Sequence, residues 1–277
     1  EETISDNSDT ITSKVEQLYQ YTGIDFEKIF GYFIQVSSLK KQIETCLENM
    51  VNEDTSYINM SICGDKKTGK TELAKRFAKA YYCLKQICTS RVAKISAVKL
   101  NKINLDQKGK QLVDSTLIIE EAGLLNSDTI EQLQHFMWKV DGQLIVILED
   151  DEQRLQQLFH DYPKFASEFR NTVVLPSYTK QDYVGFMNSY ITENEYRFAE
   201  GAKTSILGYI DSIVETIEPE NQFEAVMNLI KKVKSVADER NIKALSNIVG
   251  SRELNSSDFV LIKEEDIQNL EVTGYGK

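Results

Sequence analysis

Two observations predict an α/β protein in which a parallel sheet between helices carries a phosphate-binding (P-loop) core, followed by a small helical lid domain. Residues Gly64 to Thr71 read Gly-Asp-Lys-Lys-Thr-Gly-Lys-Thr, a full match to the Walker A pattern G-x-x-x-x-G-K-[ST]. Short apolar runs alternate with helix-period segments as far as Leu175, and beyond Gln181 only helical periodicity remains.

In chain order, the acidic, Ser- and Thr-rich stretch Glu1 to Thr12 reads as a flexible leader, taken as 1–24, and its lack of an initial methionine suggests a domain excised from a longer protein. Ser13 to Gly23 has the pattern of a short amphipathic helix. Val36, Leu39, Ile43, Leu47 and Met50 recur at helical spacing. Ile58 to Cys63 is a buried strand and Thr71 to Tyr82 a helix, so the loop between them has the strand–loop–helix context its chemistry needs. Val92 to Val98 and Ser115 to Ile119 read as strands, Ser127 to Val140 as a helix with Trp138 in the core, and Gln143 to Leu148 as a strand. Asp151 caps a helix from Glu152 to Phe159, and Thr172 to Leu175 gives a last strand. The core therefore spans 25–180. Helices Gln181 to Thr192, Gly201 to Ile217 and Glu220 to Asp238, then a strand-like Phe259 to Ile262 and a closing helix, make up the lid, 181–277.

The 277 residues carry a net charge of −11, which argues against a nucleic-acid surface built from clustered Lys and Arg and for protein partners. No apolar stretch approaches the roughly 20 residues of a membrane span, so no membrane partner and a cytoplasmic location are expected. Cys46, Cys63, Cys83 and Cys88 form no C-x-x-C pair and read as reduced and structural. His135 and His160 are too few and isolated for a zinc site.

The loop chemistry follows from residue type. Gly64 and Gly69 let the backbone curl so that N–H groups point at phosphate oxygens, and the positive end of the following helix adds to that field. Lys70 reaches the terminal phosphates of ATP or ADP and Thr71 ligates Mg²⁺. The expected nucleotide-binding set is Gly64, Asp65, Lys66, Lys67, Thr68, Gly69, Lys70, Thr71 and Glu72. Downstream, Thr116 to Ala122 reads as an apolar strand ending in two carboxylates. Such a pair alone is more often a solvated strand end; behind a phosphate loop it places Glu120 on the metal side and Glu121 as the base that polarises the attacking water.

With these motifs in order, the chain resembles AAA+ ATPases of the CbxX/CfxQ group, which includes CbbX-type Rubisco activases and the sporulation protein SpoVK, from about Ile34 to Ile267. The resemblance rests on the helix Ser38 to Met50 leading into the phosphate loop and on Ile119-Glu120-Glu121-Ala122, where the family has Ile-Asp-Glu-Ala. Leu144 to Leu148 stands as the following strand, Val174 to Thr179 is similar to the family's Phe-Pro-Asp-Tyr-Ser, and Tyr196 leads into a lid helix. It implies an ATP-binding module that assembles into homo- or hetero-oligomeric rings and remodels or regulates another protein. The family layout also implies that Asn194 to Tyr196 help wall the adenine.

The departures are specific. Glu120 stands where the family has Asp, one methylene longer, which should disturb the octahedral Mg²⁺ geometry. The family's Leu-Arg-Ser-Arg-Phe is here Phe165-Ala166-Ser167-Glu168-Phe169, without either arginine. Arg170, one residue beyond, is either a displaced finger or a surface or sheet-edge arginine. Loss of a finger costs roughly three to five orders of magnitude in rate in related hydrolases. Asn221 to Met227 lacks the family's lid arginine, and Glu149, Asp150 and Asp151 add anions where a polar sensor would sit. Lys99 to Asp114 lacks the aromatic-glycine loop of threading members, and Lys231, Lys232 and Lys234 read as solvated. Tyr81, Tyr82 and Tyr178 read as packing residues, one of them near the adenine.

Two readings stay open: an ATP hydrolase, weak in isolation, or a hydrolysis-deficient nucleotide-binding scaffold or regulatory subunit whose ligand acts by stabilising the folded or assembled form. A mixed ring, in which another subunit brings the arginines, reconciles them. A small-molecule kinase is disfavoured, since nothing marks an acceptor pocket.

Overall fold

The computed structural model describes residues 14–51, 58–87, 91–140, 142–246 and 259–272. Five strands form one parallel sheet: β1 (Met60–Cys63), β2 (Val92–Ser96), β3 (Ser115–Glu120), β4 (Leu144–Asp150) and β5 (Asn171–Val174), in the order β2-β3-β4-β1-β5. Strands joined in parallel need crossovers, and helices supply them on both faces. The core is accordingly split by the sheet. Ile118, Ile145, Ile147, Met60 and Ile62 face one apolar cluster, and their neighbours Leu117, Ile119, Leu144, Val146 and Leu148 face the other. That alternation is why β3 and β4 read as continuous apolar runs.

Side chains lock the order. The Asn59 carboxamide accepts from Val146 N at 2.8 Å, tying β1 to β4, and Gln42 exchanges two hydrogen bonds with the backbone of Val174, covering the edge strand β5. Helix Ser37–Val51 brings that glutamine, and helix Lys70–Leu84 packs on the same face of the sheet, with Leu73, Ala74, Phe77 and Ala78 buried. Helices Ser127–Val140 and Glu152–Asp161 cover the other face. The latter starts as expected, Asp151 accepting from Arg154 N.

Three expectations need correction. Trp138 is not in the core: it is 57% exposed and its indole N–H donates to Glu168 at 2.7 Å. Ile130, Leu133, Phe136, Met137 and Val140 fill the inward stripe of that helix, and Trp138 falls off the stripe by the 3.6-residue period. The strand from Val92 ends at Ser96, and Ala97–Leu100 turns into helix. The 1–24 leader is not flexible throughout, since Lys14–Thr22 is helical and Val15 is buried in the core; residues 1–13 lie outside the described residues. Cys46, Cys63 and Cys83 are free thiols, and Cys88 lies outside the described residues.

After β5 come helices Lys180–Glu193, Glu200–Thr216, Pro219–Ser246 and Glu264–Val272, with a two-residue parallel ladder between β6 (Arg197–Phe198) and β7 (Leu261–Ile262). Buried Asp266 pairs with Arg240 at 3.0 Å and caps the last helix by accepting from Lys263 N, and Arg240 also donates to Leu261 O. These contacts tie the final segment to the long helix. An aromatic cluster then joins the helical part to the sheet part: Tyr178, Tyr183, Phe186, Phe223 and Tyr32 pack with ring centroids 4.9–6.2 Å apart.

Candidate functional site

Ligand sites in open parallel sheets sit beyond the carboxyl ends of the strands, where neighbouring connections leave in opposite directions. Here β1 feeds a crossover to β2 on one side while β4 feeds β5 on the other. A cavity of about 910 Å³ opens at that place, bounded by the phosphate loop, the ends of β3 and β4, and the long helix of the lid.

The loop is shaped by its backbone. Gly64 N donates to Asp150 O at 3.2 Å, so the loop starts pinned to the end of β4. Gly69, with φ of 97°, ends the loop as the N-cap of helix Lys70–Leu84, and a Cβ there would lie 2.9 Å from the Phe223 ring. Any other residue would be strained in that conformation and would push the lid away. Lys70 Nζ folds over the loop, donating to Gly64 O at 2.7 Å and Asp65 O at 2.5 Å. Burial lowers its pKa, against the opposing pull of Glu149, Asp150 and Asp65. Thr68 closes the loop by donating to Asp65 O, and Tyr178 donates to Thr68 O at 3.0 Å. Of the three tyrosines, Tyr178 is therefore the one bonded to the loop, whereas Tyr81 and Tyr82 bond to Gly142 O and to Thr116 and Arg91 O, as packing residues.

Of the expected binding residues, Gly64, Lys66, Lys67, Gly69, Lys70, Thr71 and Glu72 line the cavity; Asp65 and Thr68 serve the loop's own hydrogen bonds. Glu120 and Glu121 both line it too. Glu121 has left-handed backbone, φ 54° and ψ 44°, where β3 breaks into a short turn, a conformation that costs a non-glycine residue roughly 1–3 kcal/mol and recurs at functional sites. Glu120 is bound to Lys94 of β2 at 2.9 Å.

The acid that meets the loop is Glu149. Thr71 Oγ1 donates to Glu149 Oε2 at 2.7 Å. Glu149 is 2% exposed, and burial pushes its pKa up to about 7, with Thr71's hydrogen bond opposing and the Glu120 charge adding to the rise. Glu120 and Glu149 are cross-strand partners on the face that carries helix Lys70–Leu84. Of β3 and β4, only β4 adjoins β1, so Glu149 stands one strand spacing, about 4.8 Å, nearer the loop than Glu120.

Sequence reading weighed Asn221 to Met227 only for a missing arginine and did not place this helix face on the cavity. Phe223, Glu224, Met227, Asn228 and Lys231 line it, following the i, i+4, i+8 periodicity of one helix face. Glu224 bridges to Lys67 of the loop at 2.9 Å, and Lys231, read as solvated, faces the cavity with no hydrogen bond or ion pair among the described residues. Tyr32, Arg76 and Tyr190 complete the wall, with the Arg76 guanidinium 4.8 Å from the Tyr32 ring centroid and bonded to Ile29 O. Asn194 to Tyr196, expected at the adenine, do not line the cavity: the Tyr196 hydroxyl points to Asp238 at 2.6 Å. Tyr196 is held inside the lid by that bond.

The donor set suits an anion chelated to a cation: backbone donors and a helix N-terminus on one side, carboxylates on the other. Among the described residues no group of three or more His, Cys, Asp or Glu is arranged to hold a metal unaided, so a divalent cation here needs phosphate oxygens as further ligands. Among the described residues, no helix is long and apolar enough to cross a membrane.

No protein-family model matches the chain. It is 24% identical over 228 residues to a CfxQ homolog of Pyropia yezoensis, covering 76% of this chain and 73% of that protein. It is 23% identical over 228 residues to a chloroplastic ribulose bisphosphate carboxylase/oxygenase activase of Cyanidioschyzon merolae, covering 76% and 75%. In structure it matches domain III of the Thermotoga maritima replication initiation protein DnaA with a TM-score of 0.52 at 15% identity, over 91% of this chain and 97% of that one. The order of motifs along the chain, these likenesses and the sheet order agree: the fold is that of an AAA+ module, and the chain is similar to proteins of the CbxX/CfxQ group.

Proposed function

We propose that this chain is an ATP-binding module that hydrolyses ATP weakly on its own and acts on, or assembles with, protein partners in a homo- or hetero-oligomeric ring. One observation carries the binding reading: the phosphate loop, two acidic strand ends and a lid helix converge on one cavity. The loop amides and Lys70 hold the phosphates of ATP or ADP, Lys70 leaving its two carbonyl partners to do so. Thr71 and an acid at the strand ends hold Mg²⁺, which when bound neutralises charge on the phosphate oxygens. Glu120 is the acid the sequence motif names. Glu121, at the cavity rim, accepts the proton of the attacking water. Lys231 is the cation the lid offers in place of an arginine.

Weak turnover is proposed because the segment Phe165 to Phe169 brings no arginine, so charge developing on the transferred phosphoryl lacks a neighbouring subunit's cation. The alternative, a nucleotide-held scaffold or regulatory subunit of a mixed ring, is supported by the same absence and by the ion pair between Glu120 and Lys94, which occupies the motif's own acid.

Calorimetric titration with ATP and ADP, beside turnover measured over a wide range of protein concentration, separates these readings. Turnover that rises with protein concentration and vanishes in Lys70→Ala and Glu121→Gln establishes a self-assembling hydrolase. Tight binding without turnover at any concentration establishes the scaffold. Nucleotide affinity unchanged by Lys70→Ala overturns the phosphate-loop assignment.

A further inference from the structure

We propose that Glu149, rather than Glu120, is the carboxylate that holds the divalent cation beside the nucleotide's phosphates. The inference rests on the nucleotide-binding reading and names the metal-side residue of that same site.

Three features of Glu149 point to a cation. Its Oε1 is buried and has no hydrogen-bond partner, although the side chain lines the cavity. A buried carboxylate oxygen left without a partner loses its hydration for nothing in return, and a cation is the ligand that restores it. Its other oxygen takes the hydroxyl hydrogen of Thr71. A hydroxyl has one hydrogen and two lone pairs, so with the hydrogen turned to Glu149 the lone pairs of Thr71 are left for a metal. The loop hydroxyl and the unpartnered carboxylate oxygen thus lie on two bonded side chains. Phosphate oxygens and water supply the remaining ligands, the arrangement Mg²⁺ prefers, with one or two carboxylates and several waters.

Glu120 has the opposite character. It is about a third exposed and already paired with Lys94 at 2.9 Å, so it is satisfied without a metal. The register sets both acids opposite each other on adjacent strands, and the strand next to β1 carries Glu149. A glutamate at this point has the extra methylene that lets it reach the first turn of the phosphate-loop helix from β4, as its bond to Thr71 records. The three consecutive acids at the end of β4 then divide their tasks: Glu149 meets Thr71, Asp150 accepts from Gly123 N at 2.9 Å, and Asp151 caps the next helix. The anion that sequence reading treated as repelling a triphosphate becomes the one that draws its metal.

The test is the gain in ADP affinity that Mg²⁺ confers, measured by calorimetry in Mg²⁺ and again in EDTA, for the wild-type chain, Glu149→Gln and Glu120→Gln. Glutamine keeps the shape of Glu149 and still accepts from Thr71. We expect Glu149→Gln to bind ADP in EDTA as well as the wild type or better, having lost an anion, and to lose roughly tenfold or more of the Mg²⁺-dependent gain. Glu120→Gln should keep that gain within about threefold, below the loss expected on removing a metal-holding group. Full retention of the gain in Glu149→Gln, or its loss in Glu120→Gln alone, overturns the proposal. So does loss of ADP binding in EDTA by Glu149→Gln, which would make Glu149 a brace for Thr71. A wild-type chain that binds ADP with no gain from Mg²⁺ overturns the metal assignment and leaves nucleotide binding standing. A wild-type chain that binds no ADP in either buffer overturns the nucleotide reading itself.

Discussion

The two walls of the cavity are held in different ways. The phosphate loop is fixed by backbone: Gly64 N on Asp150 O, Lys70 on two loop carbonyls, Tyr178 on Thr68 O. The lid wall has no backbone bond to the loop among the described residues. It rests on the Phe223 ring against Gly69 and on one ion pair between half-exposed Lys67 and Glu224. The difference teaches that one wall is a rigid template and the other is seated by side chains, so substitutions away from the Gly69–Phe223 contact and the aromatic joint should move the two walls independently.

The largest expected effect breaks the joint between them. Phe186 is fully buried and touches Tyr32, Tyr178, Tyr183 and Phe223, which come from both sides of the cavity. Phe186→Ala should cost about 3–5 kcal/mol, read as a fall in the denaturation midpoint. A cost under about 1 kcal/mol would mean that the lid is not packed on the sheet part as described.

Next is Lys70→Ala, which tests the rigid wall alone. A hydrogen bond to a charged group is worth about 1.5–3 kcal/mol, so nucleotide affinity should fall roughly 10- to 150-fold. Stability should change far less, because the loop keeps its backbone bonds. A stability loss as large as that of Phe186→Ala would show that the lysine braces the fold.

Gly69→Ala acts on both walls at once. The left-handed backbone disfavours the Cβ by about 1–2 kcal/mol, and that Cβ meets the Phe223 ring. Stability and nucleotide affinity should both drop. In the double variant with Phe223→Ala the clash is gone and the costs should fall short of additive, a coupling that a double-mutant cycle measures. Strict additivity would place the lid away from the loop.

How much of this was legible in the sequence follows the same division. The loop was, because Gly-x-x-x-x-Gly-Lys-Thr is a local pattern and its flanking strand and helix are strong periodic signals. Most strands and helices fell within a few residues of their expected ends, whereas the lid helix expected at Glu220 to Asp238 runs Pro219–Ser246; the parallel sheet and helical C-terminal part followed from their alternation. The opposite wall was not. Which of Glu120 and Glu149 reaches Thr71 depends on β4 lying between β3 and β1, a sheet order that no local pattern carries. Lys231 was visible as a cation and its direction was not, since that depends on how one helix rotates onto the core. Trp138 failed for a related reason: its apolar surroundings outweighed its position just off the buried stripe.

The smallest effect sharpens the comparison from the lid side. Lys67 and Glu224 are each about half exposed, so their 2.9 Å pair lies in high dielectric and is worth no more than about 1 kcal/mol. Glu224→Gln should therefore leave stability within that margin, and the difference from wild type should vanish as salt screens the pair. Its effect on binding should have the opposite sign to that of Lys70→Ala. Lys67 lines the cavity and is freed when Glu224 loses its charge, and an anion leaves the rim, so ADP should bind up to a few-fold more tightly at low salt, a gain within the same ~1 kcal/mol. Weaker binding would mean that the ion pair holds the lid in the position the nucleotide needs, and the lid would then count as part of the template.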